Sequence, residues 1–334
     1  VLWTGDGNSG RGITGVGFKP DFVWIKRRDG SSDYVLQDSV RGFGSGTKLA
    51  SSSTNTESLV NNGATDPKWG YVNSTSNNGF SLAVSTNGDQ VNLSGSPYVA
   101  WCWKAGGAAV TNHNGSITSQ VSANQDAGFS IATYSGSTGN YTFGHGLGIA
   151  PKFVIIKNRS VSSTPWFIIT NATGSWQYGN MSSTWGGSAA QSTNSSVINL
   201  ANNAYNWFNQ SGNDYVAYSW AEVEGYSKIG SYVGNASADG PFVYCGFKPA
   251  WILIKWIDGS ASWVLHDSSR TSTNPSSLAL VPDGNGAELD ASSLHIDFLS
   301  NGFKIRNTNA SYNNASTYVF MAFAESPFQT ANAK

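Results

Sequence analysis

GFKPDFVWIK, at residues 17–26, appears again at residues 246–255 as GFKPAWILIK and, more weakly, at residues 148–157 as GIAPKFVIIK. Each copy has a glycine and a proline before an apolar run that ends in lysine. Proline does not fit inside a central strand, and apolar residues on both alternating faces are typical of a strand that is buried on both sides. We therefore predict that each copy opens a buried β-strand, and that its final lysine reaches water at the strand end.

Further elements follow each copy at nearly constant distances, so the chain divides into three repeated units. The elements that close the units are YVAWCWKA at 98–105, YVAYSWAE at 215–222 and YVFMAFAE at 318–325. The predicted domains are a first unit at 1–107, a polar and glycine-rich linker at 108–127, a second unit at 128–225 and a third unit at 226–334. The first unit opens with VLWTGDGNSG, which matches the corresponding element of the other units with its front missing. We expect the parent sequence to extend upstream of Val1.

The composition predicts an all-β fold. Glycine, serine, asparagine and threonine dominate, glutamate occurs only five times, and short β-branched and aromatic runs alternate with turn residues. Each unit has the length of one antiparallel β-sandwich. We predict three homologous, lectin-like sandwiches packed side by side. The pattern leaves open whether they form a single body with pseudo-threefold symmetry.

The charge and the apolar pattern argue against several functional classes. The net charge is −1 and charged residues make up 12% of the chain, so an electrostatic nucleic-acid binder is not expected. The longest apolar runs cover a few residues, far short of the roughly 20 needed for membrane insertion. Two cysteines, Cys102 and Cys245, fall at different positions of the repeat. Free thiols are the favoured reading over a disulfide.

The best polar constellation is an Asp–Arg pair that follows a strand in the first and third units. It consists of Asp38 with Arg41 and of Asp267 with Arg270. One hypothesis makes this pair a polar site at the strand end. The other makes it an Asx turn, in which Asp caps backbone N–H groups and Arg pairs nearby. The second unit replaces the pair with Asn171 and Thr173, and this tolerance favours the structural interpretation.

No sequence pattern calls for a catalytic site, a metal or a cofactor. The histidines are scattered without a partner pattern of the triad kind, and zinc-ligand spacings are missing from the sequence. DGNGAELD at 283–290 lacks the full EF-hand pattern. Glu222 and Glu325, considered as glycosidase carboxylates, hold matched positions at strand ends and are expected to cap structure. We predict that the protein is not an enzyme.

These residues also carry a family resemblance. VGFKPDFVWIK, YVAWCWKAGG and SNGFKIRN, together with the linking phrases GSITSQVSANQDAGFSI and AEVEGYSKIGSYVGN, resemble virion structural proteins of tailed bacteriophages, common in marine phages. Members of that family are described as tail-fibre or tail-spike-like. The resemblance covers nearly the whole chain. It implies a place on the virion surface, tail or capsid, with other virion proteins as partners, and supplies no catalytic residues.

Two functions follow as expectations. The first is a tail-fibre or spike component that contacts the host surface, with glycans as the ligands. Its candidate contacts are aromatic residues in loop-like stretches outside the shared strands: Trp69, Tyr71, Trp176, Tyr178, Trp185, Tyr205 and Trp207. Their alternative role is to plug sandwich ends or to pack between subunits. The second function is architectural, as a capsid decoration or head-fibre protein. For either function a homo-oligomer is expected, with a trimer favoured.

Overall fold

The computed structural model describes residues 1–57, 69–84, 88–180, 185–187, 191–201 and 207–326. Strands make up 43% of the chain and helices 3%, and the strands form several antiparallel sheets. The all-β prediction is therefore confirmed, and the architecture is β-sandwich-like. None of the helices within these ranges is long and apolar enough to cross a membrane.

The first unit contains a four-stranded and a three-stranded sheet. Its strands are β1 (Leu2–Thr4), β2 (Arg11–Thr14), β3 (Phe22–Arg27), β4 (Val35–Asp38), β5 (Tyr71–Ser76), β6 (Gly79–Ala83) and β7 (Pro97–Trp103). The four-stranded sheet has the order β1-β7-β3-β4, and the three-stranded sheet has the order β2-β6-β5. Buried apolar residues from both sheets form one cluster, which includes Ile13, Val23, Phe80 and Tyr98.

Residues 108–127, expected to be a linker, contain two strands instead. β8 (Val110–Asn112) pairs with β9 (Ser119–Asn124), and β9 pairs with the first strand of the second unit over six residue pairs. Val121 faces the apolar cluster of the second unit. The segment therefore extends a sheet of the second unit, because alternate residues of β9 find apolar partners there.

The second unit contributes the remaining strands of an eight-stranded sheet. Its strands are β10 (Phe129–Ser135), β11 (Tyr141–Gly144), β12 (Phe153–Asn158), β13 (Phe167–Thr170), β14 (Gln177–Asn180), β15 (Gly186–Gly187), β16 (Ser192–Thr193), β17 (Val197–Leu200) and β18 (Asp214–Trp220). The large sheet has the order β15-β14-β13-β12-β18-β10-β9-β8, and a smaller sheet has the order β11-β17-β16.

The third unit again combines a four-stranded and a three-stranded sheet. Its strands are β19 (Ser227–Val233), β20 (Phe242–Tyr244), β21 (Pro249–Trp256), β22 (Val264–Asp267), β23 (Leu278–Ala279), β24 (Leu289–Asp290), β25 (Ile296–Leu299), β26 (Gly302–Ile305) and β27 (Thr317–Ala324). The four-stranded order is β19-β27-β21-β22 and the three-stranded order is β20-β26-β25. A short helix α1 (Ala310–Asn313) and a 3-10 turn (Ser292–Leu294) complete the unit.

The strands that open the repeated units lie inside their sheets, as predicted. β3 lies between β7 and β4, β12 between β18 and β13, and β21 between β27 and β22. In β3, Val23 and Ile25 face the cluster within the first unit, whereas Phe22 and Trp24 face a second cluster. Apolar residues on both faces are therefore needed, because each face packs against protein.

The second cluster joins all three units and is called the central cluster. Its aromatic members include Phe22, Trp24, Trp101 and Trp103 from the first unit, Phe129, Phe153, Tyr218 and Trp220 from the second, and Trp251, Trp263 and Phe323 from the third. The Trp103 ring lies 6.0 Å from that of Trp220 and 5.8 Å from that of Trp251, measured between centroids. Edge-on aromatic contacts at this spacing add to the free energy of burial.

Candidate functional site

Three lysines end the opening strands and lie inside the protein. Lys26, Lys157 and Lys255 are 0% exposed, so the expectation that they reach water was wrong. Backbone carbonyl oxygens surround each ammonium group and replace its water shell. Burial lowers the pKa of Lys157 to about 7 and the pKa of Lys26 and Lys255 to about 8.

Two of these lysines tie one unit to another. The Lys26 Nζ donates to the carbonyl oxygen of Asn285 in the third unit, at 3.3 Å. The Lys157 Nζ donates to the carbonyl oxygen of Thr54 in the first unit, at 2.9 Å. Their partners lie more than a hundred residues away, so these lysines act as bridges between units.

The Asp–Arg pairs form the predicted Asx turns. The Asp38 Oδ1 accepts hydrogen bonds from the backbone N–H groups of Val40 (3.0 Å) and Arg41 (2.9 Å). Asp267 accepts in the same way from the N–H of Arg270, at 3.1 Å, and each carboxylate also pairs with its arginine side chain. The structural interpretation of this motif is therefore confirmed.

Beyond the turn, the first pair reaches into the second unit. The Tyr218 hydroxyl donates to the Asp38 Oδ2 at 2.7 Å, and the Arg41 Nη2 donates to the Tyr218 oxygen at 3.0 Å. Arg41 also pairs with Glu57 at 2.6 Å, and Glu57 pairs in turn with Arg159 at 3.0 Å. The result is a charged network across the boundary between the first and second units.

The third unit reaches the first unit in the same manner. The Trp101 Nε1 donates to the Asp267 Oδ2 at 3.1 Å. Arg270 pairs with Glu288 at 2.5 Å, and Glu288 pairs with Arg28 of the first unit at 2.7 Å. Removing one charge of a buried pair leaves the other charge without compensation, which is strongly destabilising. These contacts therefore determine which surfaces of the units meet.

The second unit lacks the pair, and its register corrects the sequence comparison. Thr170 pairs with the first aromatic residue of β12, as Asp38 and Asp267 pair with the corresponding residues of β3 and β21. The structural equivalent of the aspartates is therefore Thr170 and not Asn171. The Thr170 hydroxyl keeps part of the turn, since it accepts from the Ala172 N–H at 3.2 Å.

One position of the closing strand holds a different residue in each unit, and its side chain is related to the Asp–Arg pair that it meets. Trp101, Tyr218 and Met321 occupy the same position in β7, β18 and β27, opposite the middle of the opening strand. The two residues that meet an Asp–Arg pair each carry a polar tip, an indole N–H or a hydroxyl. Both tips satisfy a buried carboxylate, which is costly to leave unpaired.

The electrostatics of the network favour structural stability over proton transfer. Burial opposes the charge of Arg41, but the carboxylates of Asp38 and Glu57 outweigh it and raise the pKa of that guanidinium. Burial also raises the pKa of Tyr218 well above its usual value. In the third unit, burial and then the charge of Arg270 lower the pKa of His266 to about 3, so this imidazole is neutral at pH 7.

Trp185, one of the predicted glycan contacts, lies in the central cluster. Its ring centroid is 5.6 Å from that of Trp263, and its backbone N–H donates to the Ile257 carbonyl at 3.0 Å. The ring also covers Gly179, where a Cβ would lie only 2.1 Å from the Trp185 Cδ1. Trp185 therefore packs between the second and third units, which is the alternative role considered for these aromatics.

Three other predicted contacts lie against a different group of residues, the apolar cluster inside the second unit. Tyr178 and Trp207 approach Phe167 with ring centroids 5.9 and 6.3 Å away, and Trp176 packs against the same cluster. Trp176, Tyr178 and Trp207 are half-buried, and they are called the aromatic patch. Partly exposed rings of this kind pack against the core and keep part of their surface in contact with solvent.

Two of the last three predicted contacts, Trp69 and Tyr71, lie outside the aromatic patch. Trp69 and Tyr71 belong to the first unit, where both are half-buried. The Trp69 carbonyl accepts from the Gln90 N–H at 3.1 Å, and Tyr71 begins β5. Tyr205 lies outside the described residues.

A polar cleft of about 930 Å³ opens between the first unit and the end of β9. The side chains that line it include Phe43, Thr75, Lys104, Asn124, Gln125 and Asp126. Amide and hydroxyl groups with both charge signs are suited to a polar ligand without a strong net charge.

The remaining candidates for chemistry have structural partners. Glu222 pairs with Lys152 and with Lys228, and Glu325 pairs with Lys248 at 2.8 Å. Within the described ranges, no group of three or more His, Cys, Asp and Glu side chains is placed to hold a metal ion. Cys102 and Cys245 are free thiols, and burial raises the pKa of each to about 12.

Sequence reasoning missed the partners that bind the units together. Arg28, Glu57 and Glu288 lie in no recognisable motif, and each has an ion-pair partner that is distant in sequence. One signal was present for Tyr218 and Trp101. Both stand at the same position of the repeated closing element, and the Asp–Arg pair recurs in the repeat as well.

Comparison with known proteins gives a family without an assigned activity. Residues 1–327 match the model of a family described as a domain of unknown function, DUF7483. No curated protein and no solved structure gives a significant match. Since the match covers nearly all of its length, the chain belongs to the DUF7483 family.

Proposed function

We propose that the protein is a non-enzymatic structural protein of a bacteriophage virion, a tail-fibre or tail-spike component that contacts glycans on the host surface. The observation that carries the proposal is the way in which one chain joins three units into a single body. An aromatic cluster and two largely buried ion networks cross the unit boundaries. Such cross-bracing suits a particle component that works outside the cell, and the motif resemblance supports a position on the virion.

We also propose that the three units are homologous lectin-like sandwiches arranged around a pseudo-threefold axis. The matched sheet orders β1-β7-β3-β4 and β19-β27-β21-β22 support this, as does the run β10-β18-β12-β13 within the larger sheet. Each unit adds a three-stranded sheet. Further support comes from Trp103, Trp220 and Phe323, which hold the same position in the three closing strands and meet in the central cluster.

Localisation on intact particles tests the virion proposal. Phage particles would be labelled with an antibody against this chain and viewed by electron microscopy. Label at the tail tip or fibres supports the tail-fibre role. Label spread over the capsid shell excludes that role and favours the architectural alternative, and particles without label reject both.

Glycan binding is tested on the aromatic patch. The protein would be applied to a glycan array as the natural chain, as Trp207→Ala and as Trp176→Ala. We expect bound glycans in the first case and loss of signal in the variants, because aromatic rings present an apolar face to sugar rings. Val110→Ala, at an exposed apolar side chain outside the patch, is the control. Array binding that survives in both patch variants removes the patch from the site.

The architectural alternative has its own support. Trp185 is buried at a unit boundary, and the patch rings pack against the core of the second unit. Aromatic residues used in this way stabilise a scaffold and need no ligand. In that case the protein is a capsid decoration or head-fibre protein whose partners are other virion proteins or further copies of itself.

The non-enzymatic part of the proposal rests on the carboxylates. Glu222 and Glu325, the matched pair considered for sugar hydrolysis, are each engaged by lysines. Incubation with host polysaccharide followed by size-exclusion chromatography tests this point. Shortened chains would show that the protein is a depolymerase.

A further inference from the structure

The outward face of the sheet β20-β26-β25 carries two exposed aromatic side chains. Phe242 is 45% exposed and Tyr244 is 62% exposed, whereas Val243 between them is buried. Within the described part of the chain, the Tyr244 hydroxyl makes no hydrogen bond. The two exposed rings lie on the same face of one three-residue strand and form a small apolar patch.

The same outward positions of the other two three-stranded sheets hold small residues. By strand register, the equivalents of Phe242 and Tyr244 are, in that order, Gly12 and Thr14 in the first unit and Thr142 and Gly144 in the second. This type of sheet therefore forms without aromatic residues at these positions. The two rings of the third unit are not needed for folding, so we look for another role.

Charged groups border the two rings and cancel one another. Lys304 lies opposite Phe242 across the sheet and pairs with Asp239 at 2.7 Å. Arg306 lies 3.4 Å from Asp297 and 3.7 Å from Asp239. Two cations and two carboxylates give no net charge, and all four offer hydrogen-bonding groups beside the rings.

We propose that Phe242 and Tyr244 form a platform that binds the sugar rings of an uncharged polysaccharide. The aromatic faces take the apolar C–H faces of pyranose rings, and Lys304 and Asp239 exchange hydrogen bonds with hydroxyl groups. The balanced charge favours a neutral polymer over an acidic one. The proposal rests on the proposed function, because it assigns a position to the glycan contact.

The size of the platform favours a saccharide over a protein partner. A stable protein interface buries about 800 Å² on each side, far more than two side chains provide. Rings and hydrogen-bonding groups side by side match a pyranose ring, which has C–H groups on its faces and hydroxyl groups around its edge. The Phe242 ring also lies close to Gly302, because a Cβ added to that glycine would be 3.1 Å from the Cε2 atom of Phe242.

The test is native affinity electrophoresis of the full chain through gels that contain laminarin, mannan or dextran, with alginate as the acidic comparison. The variant is Phe242→Thr with Tyr244→Thr, because each position holds threonine in one of the two sister sheets, Thr142 for Phe242 and Thr14 for Tyr244. Val110→Thr, at a side chain that is 65% exposed elsewhere, is the matched control. We expect retardation by a neutral polymer and about a tenfold or greater loss of affinity in the double variant only.

The outcomes separate the platform from the wider proposal. Retardation that persists in the double variant but disappears in Trp176→Ala with Trp207→Ala overturns the platform and leaves glycan binding in place. Retardation by alginate alone, or by none of these polymers while the glycan array is positive, overturns the neutral ligand but not the proposed function. A negative array overturns both. A dimer, seen by sedimentation, that the double variant abolishes would identify a second copy as the occupant and overturn the saccharide.

Discussion

Replacing Arg270 by threonine is expected to destabilise the protein strongly. The Arg270 side chain is 0% exposed and pairs with Asp267 and Glu288. Glu288 keeps a second partner, Arg28, so the loss falls mainly on the Asp267 carboxylate. Removal of one partner of a buried ion pair costs about 3–5 kcal/mol, because a charge remains buried without compensation.

The second unit provides a matched control for this prediction. It carries Thr170 and Thr173 where the third unit has Asp267 and Arg270. The double variant Asp267→Thr with Arg270→Thr removes both charges and keeps a hydroxyl for the turn. We expect it to be more stable than the single variant Arg270→Thr by about 2 kcal/mol, since no unpaired carboxylate is left.

The assay is the free energy of unfolding from urea denaturation at pH 7. It is measured for the natural chain, for Asp267→Thr and Arg270→Thr singly, and for the double variant. The coupling energy of the pair follows from the four values. Additive effects of the two single changes, or a loss below about 1 kcal/mol for Arg270→Thr, would refute the reasoning that this pair is a compensated buried charge.

The remaining predictions concern buried groups. Because the Lys157 pKa is about 7 folded and 10.5 unfolded, the unfolded chain binds more protons between these values, and stability rises by about 2 kcal/mol from pH 7 to 9; Lys157→Met should remove that part of the slope in urea titrations. The pKa of His266 is about 3 in the folded protein against 6.5 unfolded, so the free energy of unfolding falls by about 3 kcal/mol from pH 7 to 4. Glutamine stands at the equivalent position 37 of the first unit, and His266→Gln should make the free energy of unfolding less dependent on pH between 7 and 4. Gly179→Ala should lower the melting temperature by several degrees, since the new Cβ collides with Trp185; an unchanged melting temperature would contradict the packing of Trp185.

Local patterns in the sequence predicted local structure well. Proline followed by apolar residues on both faces marked β3, β12 and β21, because a strand with two covered faces has few alternatives. The Asx turns at Asp38 and Asp267 followed from the chemistry of a short side chain near its own backbone.

Contacts between distant units could not be predicted in the same way. Lys26 and Lys157 were expected in water, and part of what holds them in the interior, the carbonyl groups of Asn285 and Thr54, comes from other units. Trp185 was placed at a surface because its loop has no strand pattern, although it packs on Trp263. In each case the deciding energy depends on a partner that no local window contains.

The prediction that residues 108–127 form a linker was wrong for a related reason. Its polar, glycine-rich composition is typical of a linker, but strand pairing requires only backbone groups and a few inward side chains. Val121 supplies one such side chain, and β9 then pairs with β10 along six positions. Composition therefore underestimated a strand that is stabilised by its neighbour.

The joining of three units within one polypeptide frees each boundary to evolve separately. A trimer of identical subunits must use the same residues at all three of its interfaces, because one gene encodes them all. Here one boundary uses Asp38 with Tyr218, another uses Asp267 with Trp101, and Trp185 serves where the second unit meets the third. The same freedom lets a single unit carry Phe242 and Tyr244, so that the molecule can present one specialised face instead of three copies of it.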